Sequence, residues 1–156
     1  VPTASDPDQL PAMGLRFELT AEWTAPSLAR NRVRQWLVAQ DWSAAAVDDL
    51  VLSISEAVSN SVEHGYGIAV DGPVQDLNSV VVVEGSVVDE PGGYRRVVLT
   101  VVDHGHWREP DTGPTNRRQG LRIMRACTEE LTVTHSADGT KVVLRSWPIP
   151  VSRPSR

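Results

Sequence analysis

Between Ser43 and Gly65 the chain carries two helical stripes at once, and no other segment limits the fold as tightly. Val47, Leu50, Val51, Ile54, Val58 and Val62 recur at spacings of three and four, which puts them on one helix face and commits that face to a core. Glu56, Asn60 and His64 are each four apart. At about 100° per residue they line a second stripe, well away from the centre of the apolar one. Ser43 is the expected N-cap, Trp42 before it can pack on Val47 as a hydrophobic staple, and Gly65 supplies the stop. A helix is therefore expected over 44–64.

The flanking segments fix the fold class. Leu15 to Leu19 alternates as a half-buried strand does, and a helix is expected from Pro26 to Gln40 with Ala29, Val33, Trp36 and Leu37 on one face. Ser79–Val88 and Arg96–Val102 are valine-rich strands joined through Asp89-Glu90-Pro91-Gly92-Gly93. After a polar loop over 104–117, a short helix is expected from Gln119 to Cys127. A last hairpin follows, Leu131–His135 and Thr140–Trp147, turned at Asp138-Gly139. Hairpins grouped between helices predict an α+β, two-layer sandwich, in which a mixed, mainly antiparallel sheet carries its helices on one face. The expected division is a flexible arm over 1–14, one domain over 15–147 and a flexible, proline-containing tail over 148–156.

Composition narrows the function classes. A length of 156 residues suits one domain with a real core. The formal charge of −5, with no Lys/Arg-rich run, argues against direct nucleic-acid binding. One cysteine, Cys127, excludes an internal disulfide and suits a reducing, cytoplasmic compartment; it is expected on an apolar helix face, buried and inert. The longest aliphatic run, Val80–Val83, is far too short to span a membrane, so no membrane association is expected.

A polar Glu-Asn-His stripe is commonly a solvated helix face. Its alternative is a metal–phosphate site, in which a carboxylate accepts a proton or orients a hydroxyl, an amide oxygen ligates Mg²⁺ and a histidine donates to a phosphate. A second constellation favours the alternative. The apolar strand Val97–Val102 delivers Asp103 into His104-Gly105-His106-Trp107, where a carboxylate can accept from an exocyclic amine and Gly105 lets a flat ring approach the backbone. Arg117-Arg118-Gln119-Gly120-Leu121 opens a helix, whose N-terminal N–H groups can hold phosphate, and Asp138-Gly139-Thr140 puts a hydroxyl at a strand start.

In this order and spacing the four segments resemble the GHKL (Bergerat-fold) ATPase superfamily, which includes gyrase and the histidine kinases. Within it they look most like the anti-sigma factor serine kinases. Ser55 to Tyr66 is similar to the family's N-box, Asp103-His104-Gly105 to its first glycine box, Gln119 to Met124 to its second, and Gly139-Thr140 to its terminal Gly-Thr. The resemblance covers about Leu15 to Trp147 and implies an ATP- and Mg²⁺-dependent protein serine kinase. Its protein partners would be a sigma factor, held inactive, and an anti-anti-sigma factor, phosphorylated on serine; such kinases are commonly homodimers. It implies that Glu56 is the general base, Asn60 the Mg²⁺ ligand, His64 a basic group near the phosphates and Asp103 the adenine acceptor. It makes Thr140 the hydroxyl supporting Asp103, and Gly105, Gly120 and Leu121 parts of the pocket and its lid. Two departures stand out: Trp107 replaces the second glycine of the first box, and Gln119 precedes Gly120 where a glycine-rich run is usual. The altered boxes support an alternative, a regulatory module of the same fold that acts by docking alone.

Other candidates have two readings each. Trp107 can close the pocket or anchor its loop. Arg118 and Arg117 can reach a terminal phosphate or be solvated. Arg30, Arg32 and Arg34 can meet an acidic partner or form a solvated face. A zinc site at Asp103, His104 and His106 lacks a further Cys or His nearby, and His135 is expected to be structural.

Overall fold

The computed structural model describes residues 14–66, 79–105 and 116–151, and for residues 65 and 116–118 the backbone alone. The elements run β1 (Gly14–Thr20), α1 (Ala25–Ala39), α2 (Ala44–Asn60), a π-helical turn (Ser61–Gly65), β2 (Val80–Glu90), β3 (Tyr94–Asp103), α3 (Asn116–Cys127), β4 (Glu130–Ser136), β5 (Gly139–Arg145) and β6 (Ile149–Pro150). The strands form one sheet in the order β1-β2-β3-β5-β4, and β6 pairs with the start of β3. Every pairing among the described strands is antiparallel. This is the expected α+β sandwich.

The helices lie on one face because the strands alternate strictly. Val81, Val83 and Gly85 on β2, Val97, Leu99 and Val101 on β3, and Val142 and Leu144 on β5 are all buried. They meet Ala29, Val33 and Leu37 of α1 and the whole apolar stripe of α2. A Cβ on Gly85 would sit 3.0 Å from the Trp36 ring, so the missing side chain there makes room for the indole. The Ser43 hydroxyl accepts from the Ala46 N–H at 3.2 Å, the expected N-cap, and Trp42 is buried in the same cluster as Val47.

Four expectations need correction. The segment 44–64 is α-helical only to Asn60; the last turn widens, with the Tyr66 N–H bonded to the Ser61 carbonyl. Helix α3 begins at Asn116, so Gly120 is its fifth residue and its N–H lies beyond the free first-turn donors that could hold phosphate. The β4–β5 turn is centred on Ala137-Asp138, because Ser136 pairs with Gly139 and His135 with Thr140. The tail expected from Pro148 is not free at its start, since Arg95 pairs with Ile149 and Tyr94 with Pro150. The N-terminal arm up to Met13, His106, Trp107 and the chain beyond Val151 lie outside the described residues. Among the described residues no helix is long and apolar enough to cross a membrane.

The three arginines of α1 are engaged within the chain. Arg30 donates to the Ser55 hydroxyl at 2.7 Å, Arg32 stacks over Phe17 at 5.0 Å, and Arg34 pairs with Asp48 at 3.0 Å. These contacts tie α1 to α2 and β1.

Gly139 has φ +136°, and a Cβ there would overlap the Asp103 carbonyl oxygen and come within 2.8 Å of the His104 Cα. Both obstacles are backbone and cannot rotate aside. Gly139→Ala is expected to destabilise the protein by about 3 kcal/mol or more, by adding backbone clash to the strain of a positive φ. Urea unfolding of the two proteins measures the difference.

Candidate functional site

The sheet brings Asp103 and Thr140 together. They are register partners on β3 and β5, and both side chains fall on the helix-covered face, at relative exposures of 2% and 6%. One Asp103 carboxylate oxygen accepts the Gly105 N–H at 3.1 Å, which shapes the exit of the strand and leaves the second oxygen for another donor. The β3 exit is pinned by Tyr66. Its hydroxyl donates to the Val80 carbonyl at 2.6 Å and accepts from the His104 N–H at 2.9 Å, so one side chain joins the π-helical turn, the start of β2 and the end of β3. The His104 ring reaches the Asp138 carbonyl at 3.3 Å.

Across from the sheet, Glu56 and Asn60 are half-buried rather than solvated, because α3 packs on their side of α2. A Cβ on Gly120 would lie 2.9 Å from Glu56 Oε2 and 3.6 and 3.7 Å from the Asn60 amide nitrogen and oxygen. Gly120 therefore acts by close approach, and the hollow it leaves is walled by a carboxylate and an amide. Burial pushes the Glu56 carboxyl above its ordinary value, and the Glu63 carboxylate adds to the shift. A proton acceptor with a raised affinity for protons is what a general base requires.

A cavity of about 20 Å³ connects the two halves, lined by Ala57, Asn60, Ser61, Asp103, Leu121, Met124, Val133, Thr140 and Val142. Asn60, Asp103, Leu121 and Thr140 thus share one cleft, and Glu56 and Gly120 adjoin it through Asn60. Gly105 contributes through its bond to Asp103. His64 stands apart from the residues lining the cavity. It follows Asn60 in the widened turn, which re-aims the residues after it, and its Nε2 is 3.8 Å from a Glu63 carboxylate oxygen. The Arg118 backbone lies in the first turn of α3. Cys127 is half-buried, its thiol pushed up by burial and then by Asp49, as suits an unreactive group.

Two residues at this site were given no site role from the sequence. Tyr66 entered only as the last residue of the N-box match, and His135 was expected to be structural. Leu131, Val133 and His135 share a strand face by period-two alternation, and a turn centred on Ala137-Asp138 puts His135 opposite Thr140.

Asn60, one helical turn after Glu56 on α2, thus shares its cleft with an Asp at a strand exit. Residues 19–146 match the family model of the histidine kinase-like ATPase domain, and the chain belongs to that family. Its relatives include the Anti-sigma F factor of three strains of Clostridium perfringens, two at 27% identity and one at 26%. Each aligns over 143 residues, 84% of this chain and 94% of the relative. Among solved structures it is similar to the RsbU and RsbW domains of Rv1364c from Mycobacterium tuberculosis, with a TM-score of 0.60 and 29% identity over 92% of this chain. The chain spans 34% of that longer protein chain.

Two substitutions separate the roles of the site from those of the fold. Gly120→Ala should leave stability within about 1 kcal/mol of wild type, since helix propensity improves and the obstructing atom is the end of a flexible side chain. It should nonetheless displace the Glu56 carboxylate, which an NMR pH titration of that side chain should record as a changed chemical shift and midpoint. Tyr66→Phe removes a hydroxyl bonded on both sides and should cost about 1–3 kcal/mol of stability in denaturant unfolding.

Proposed function

We propose that the protein is an ATP-dependent serine kinase that acts as an anti-sigma factor. It would phosphorylate a serine of an anti-anti-sigma protein and hold a sigma factor inactive while that antagonist is phosphorylated. The observation that carries the reading is the shared cleft: Asn60, with Glu56 beside it, and Asp103 with Thr140 face one space across Gly120 and Leu121. Kinship to proteins named Anti-sigma F factor supports the choice of substrate and partners.

Each residue has a task in phosphoryl transfer, which needs positioning, charge neutralisation and an oriented nucleophile. The free oxygen of Asp103 accepts from the exocyclic amine of adenine, Thr140 supports it, and Gly105 and Leu121 shape the base pocket. Arg118 and His64 are carried as phosphate-side residues by the family resemblance alone, the Arg118 backbone in the first turn of α3 and His64 outside the residues that line the cavity. Glu56 orients the substrate serine hydroxyl and accepts its proton as that oxygen attacks the γ-phosphorus. The donor chemistry fits Mg²⁺: the Asn60 amide oxygen, on a residue that lines the cleft, is a hard, neutral oxygen donor. The described residues contain no group of three or more His, Cys, Asp or Glu that could form a protein-only cage, and Mg²⁺ is usually held by one or two side chains with phosphate and water. When bound, the ion neutralises charge on the phosphate oxygens, and Asn60 is the residue that would hold it.

One observation favours the second reading, a docking module without catalysis. The cavity of about 20 Å³ is small against the roughly 300 Å³ or more of ordinary ligand sites.

A phosphotransfer assay with labelled ATP, Mg²⁺ and the anti-anti-sigma protein decides between the two. Wild type should label the substrate on serine, and Glu56→Ala should bind ATP but transfer at least about a hundredfold more slowly, the usual scale for losing a general base. Nucleotide binding with no serine labelling by wild type leaves the docking module. The raised carboxyl gives Glu56 a second readout. A folded value above the unfolded one means the fold disfavours the ionised form, so this penalty is present at neutral pH and is relieved as pH falls through the folded value. Glu56→Gln should therefore melt at or above the wild-type temperature at pH 7, and the difference should shrink on acidification.

A further inference from the structure

Thr140 is the middle member of a row of three side chains. Its register partners are Asp103 on β3 and His135 on β4, and its hydroxyl lies 3.1 Å from His135 Nδ1. Thr140 is buried and shares the cleft lining with Asp103, whereas the imidazole reaches it from the exposed edge strand and does not line the cleft. Any effect of His135 on a bound base therefore passes through the Thr140 hydroxyl.

A hydroxyl has one proton to give, so its bond to His135 decides what it offers the cleft. With a bare Nδ1, the imidazole takes the Thr140 proton and the hydroxyl presents lone pairs only. An ionised carboxylate also only accepts, so Asp103 and Thr140 together would be a wall of acceptors. With a proton on Nδ1, the imidazole donates to the Thr140 oxygen, and the hydroxyl proton is free to point into the cleft. Asp103 and Thr140 then form an acceptor beside a donor. The edge of a 6-aminopurine is the complement, an amine that donates beside a ring nitrogen that accepts. The edge of a 6-oxopurine is the reverse, a carbonyl that accepts beside a ring N–H that donates.

We propose that His135, with its Nδ1–H directed at Thr140, is a positioning residue that makes Thr140 a donor and so sets the preference of the cleft for 6-aminopurine over 6-oxopurine nucleotides. The proposal rests on the nucleotide-binding reading of the cleft. Asparagine can donate an N–H at the place of Nδ1, aspartate can only accept there, and leucine can do neither. Nothing about the bulk of the strand separates the first two, so they distinguish polarity from packing.

Dissociation constants for ATP and GTP test this in wild type, His135→Asn, His135→Asp and His135→Leu, each also combined with Thr140→Val. His135→Asn should keep ATP affinity within about threefold and retain the ATP-over-GTP preference. His135→Asp should weaken ATP by about tenfold or more and narrow the ATP-to-GTP ratio, the scale of one hydrogen bond exchanged for a repulsive contact. The ratio is the decisive quantity, because the charge that aspartate adds acts on both triphosphates alike. His135→Leu should fall between them, and in the Thr140→Val background the three substitutions should have no further effect on the ratio. Asn and Asp variants with the same ratio, or an effect that persists without the Thr140 hydroxyl, overturn the proposal while leaving the cleft a nucleotide site. A wild type that binds neither nucleotide overturns the cleft assignment and this proposal with it. If His135→Asp does not fold, the Asn and Leu variants carry the comparison, and equal ratios for those two overturn it.

Discussion

The backbone contact between Gly139 and Asp103 governs the geometry at this end of the molecule. The chain of β5 enters the sheet against the Asp103 carbonyl, in a space where no side chain fits and at a φ that favours glycine. That approach sets the register of β5 on β3 and so places Thr140 beside Asp103. The β4–β5 turn at Ala137-Asp138 then brings His135 onto Thr140. Three polar side chains are thus aligned across three strands, beside a position where no Cβ fits.

The opposite wall has the same logic in a helix. Helix α2 is packed on two sides, by the sheet and α1 on its apolar stripe and by α3 on the stripe of Glu56 and Asn60. A second packed side would ordinarily be apolar. Here the contact residue of α3 is Gly120, and the space it leaves keeps the carboxylate and amide within a few ångströms of the approaching helix without burying them completely. Arg30 holds α1 to α2 at Ser55, the residue before Glu56, so Glu56 stands on a helix anchored to its neighbour by a hydrogen bond as well as by packing.

Much of this was legible in the sequence. The apolar stripe of α2, its N-cap and the strand pairing follow from periodicity and turn chemistry, and those signals are local. The missed features are set by contacts between distant segments. No spacing rule reveals that the turn after Asn60 widens to let Tyr66 reach Val80 and His104, because the reason for widening is a partner far along the chain. The start of α3 at Asn116 was obscured by polar residues that read equally well as loop. The role of Gly120 was misread for the same reason. Glycine near a helix start suggests open N–H groups, but its neighbours across the interface show that it makes room. His135 was legible in principle, and a turn placed one residue late hid it, since a one-residue slip changes every cross-strand partner.

The half-burial of Glu56 is where stability and the proposed role as proton acceptor pull in opposite directions. A carboxylate taken partly out of water beside a second carboxylate, Glu63, is harder to ionise, and the fold carries that as a destabilising term at neutral pH. Full exposure would relieve it, but would also give the carboxylate back to water and lose its fixed direction. Full burial would keep the group protonated and useless as a proton acceptor. The packing of α3 through a glycine holds the residue between these limits. Any side chain larger than hydrogen at position 120 must shift the carboxylate it meets, and a wider separation of the helices would return it to solvent. The presence of glycine at 120 and glutamate at 56 is therefore one choice rather than two: the size of the first fixes the solvation, and hence the basicity, of the second.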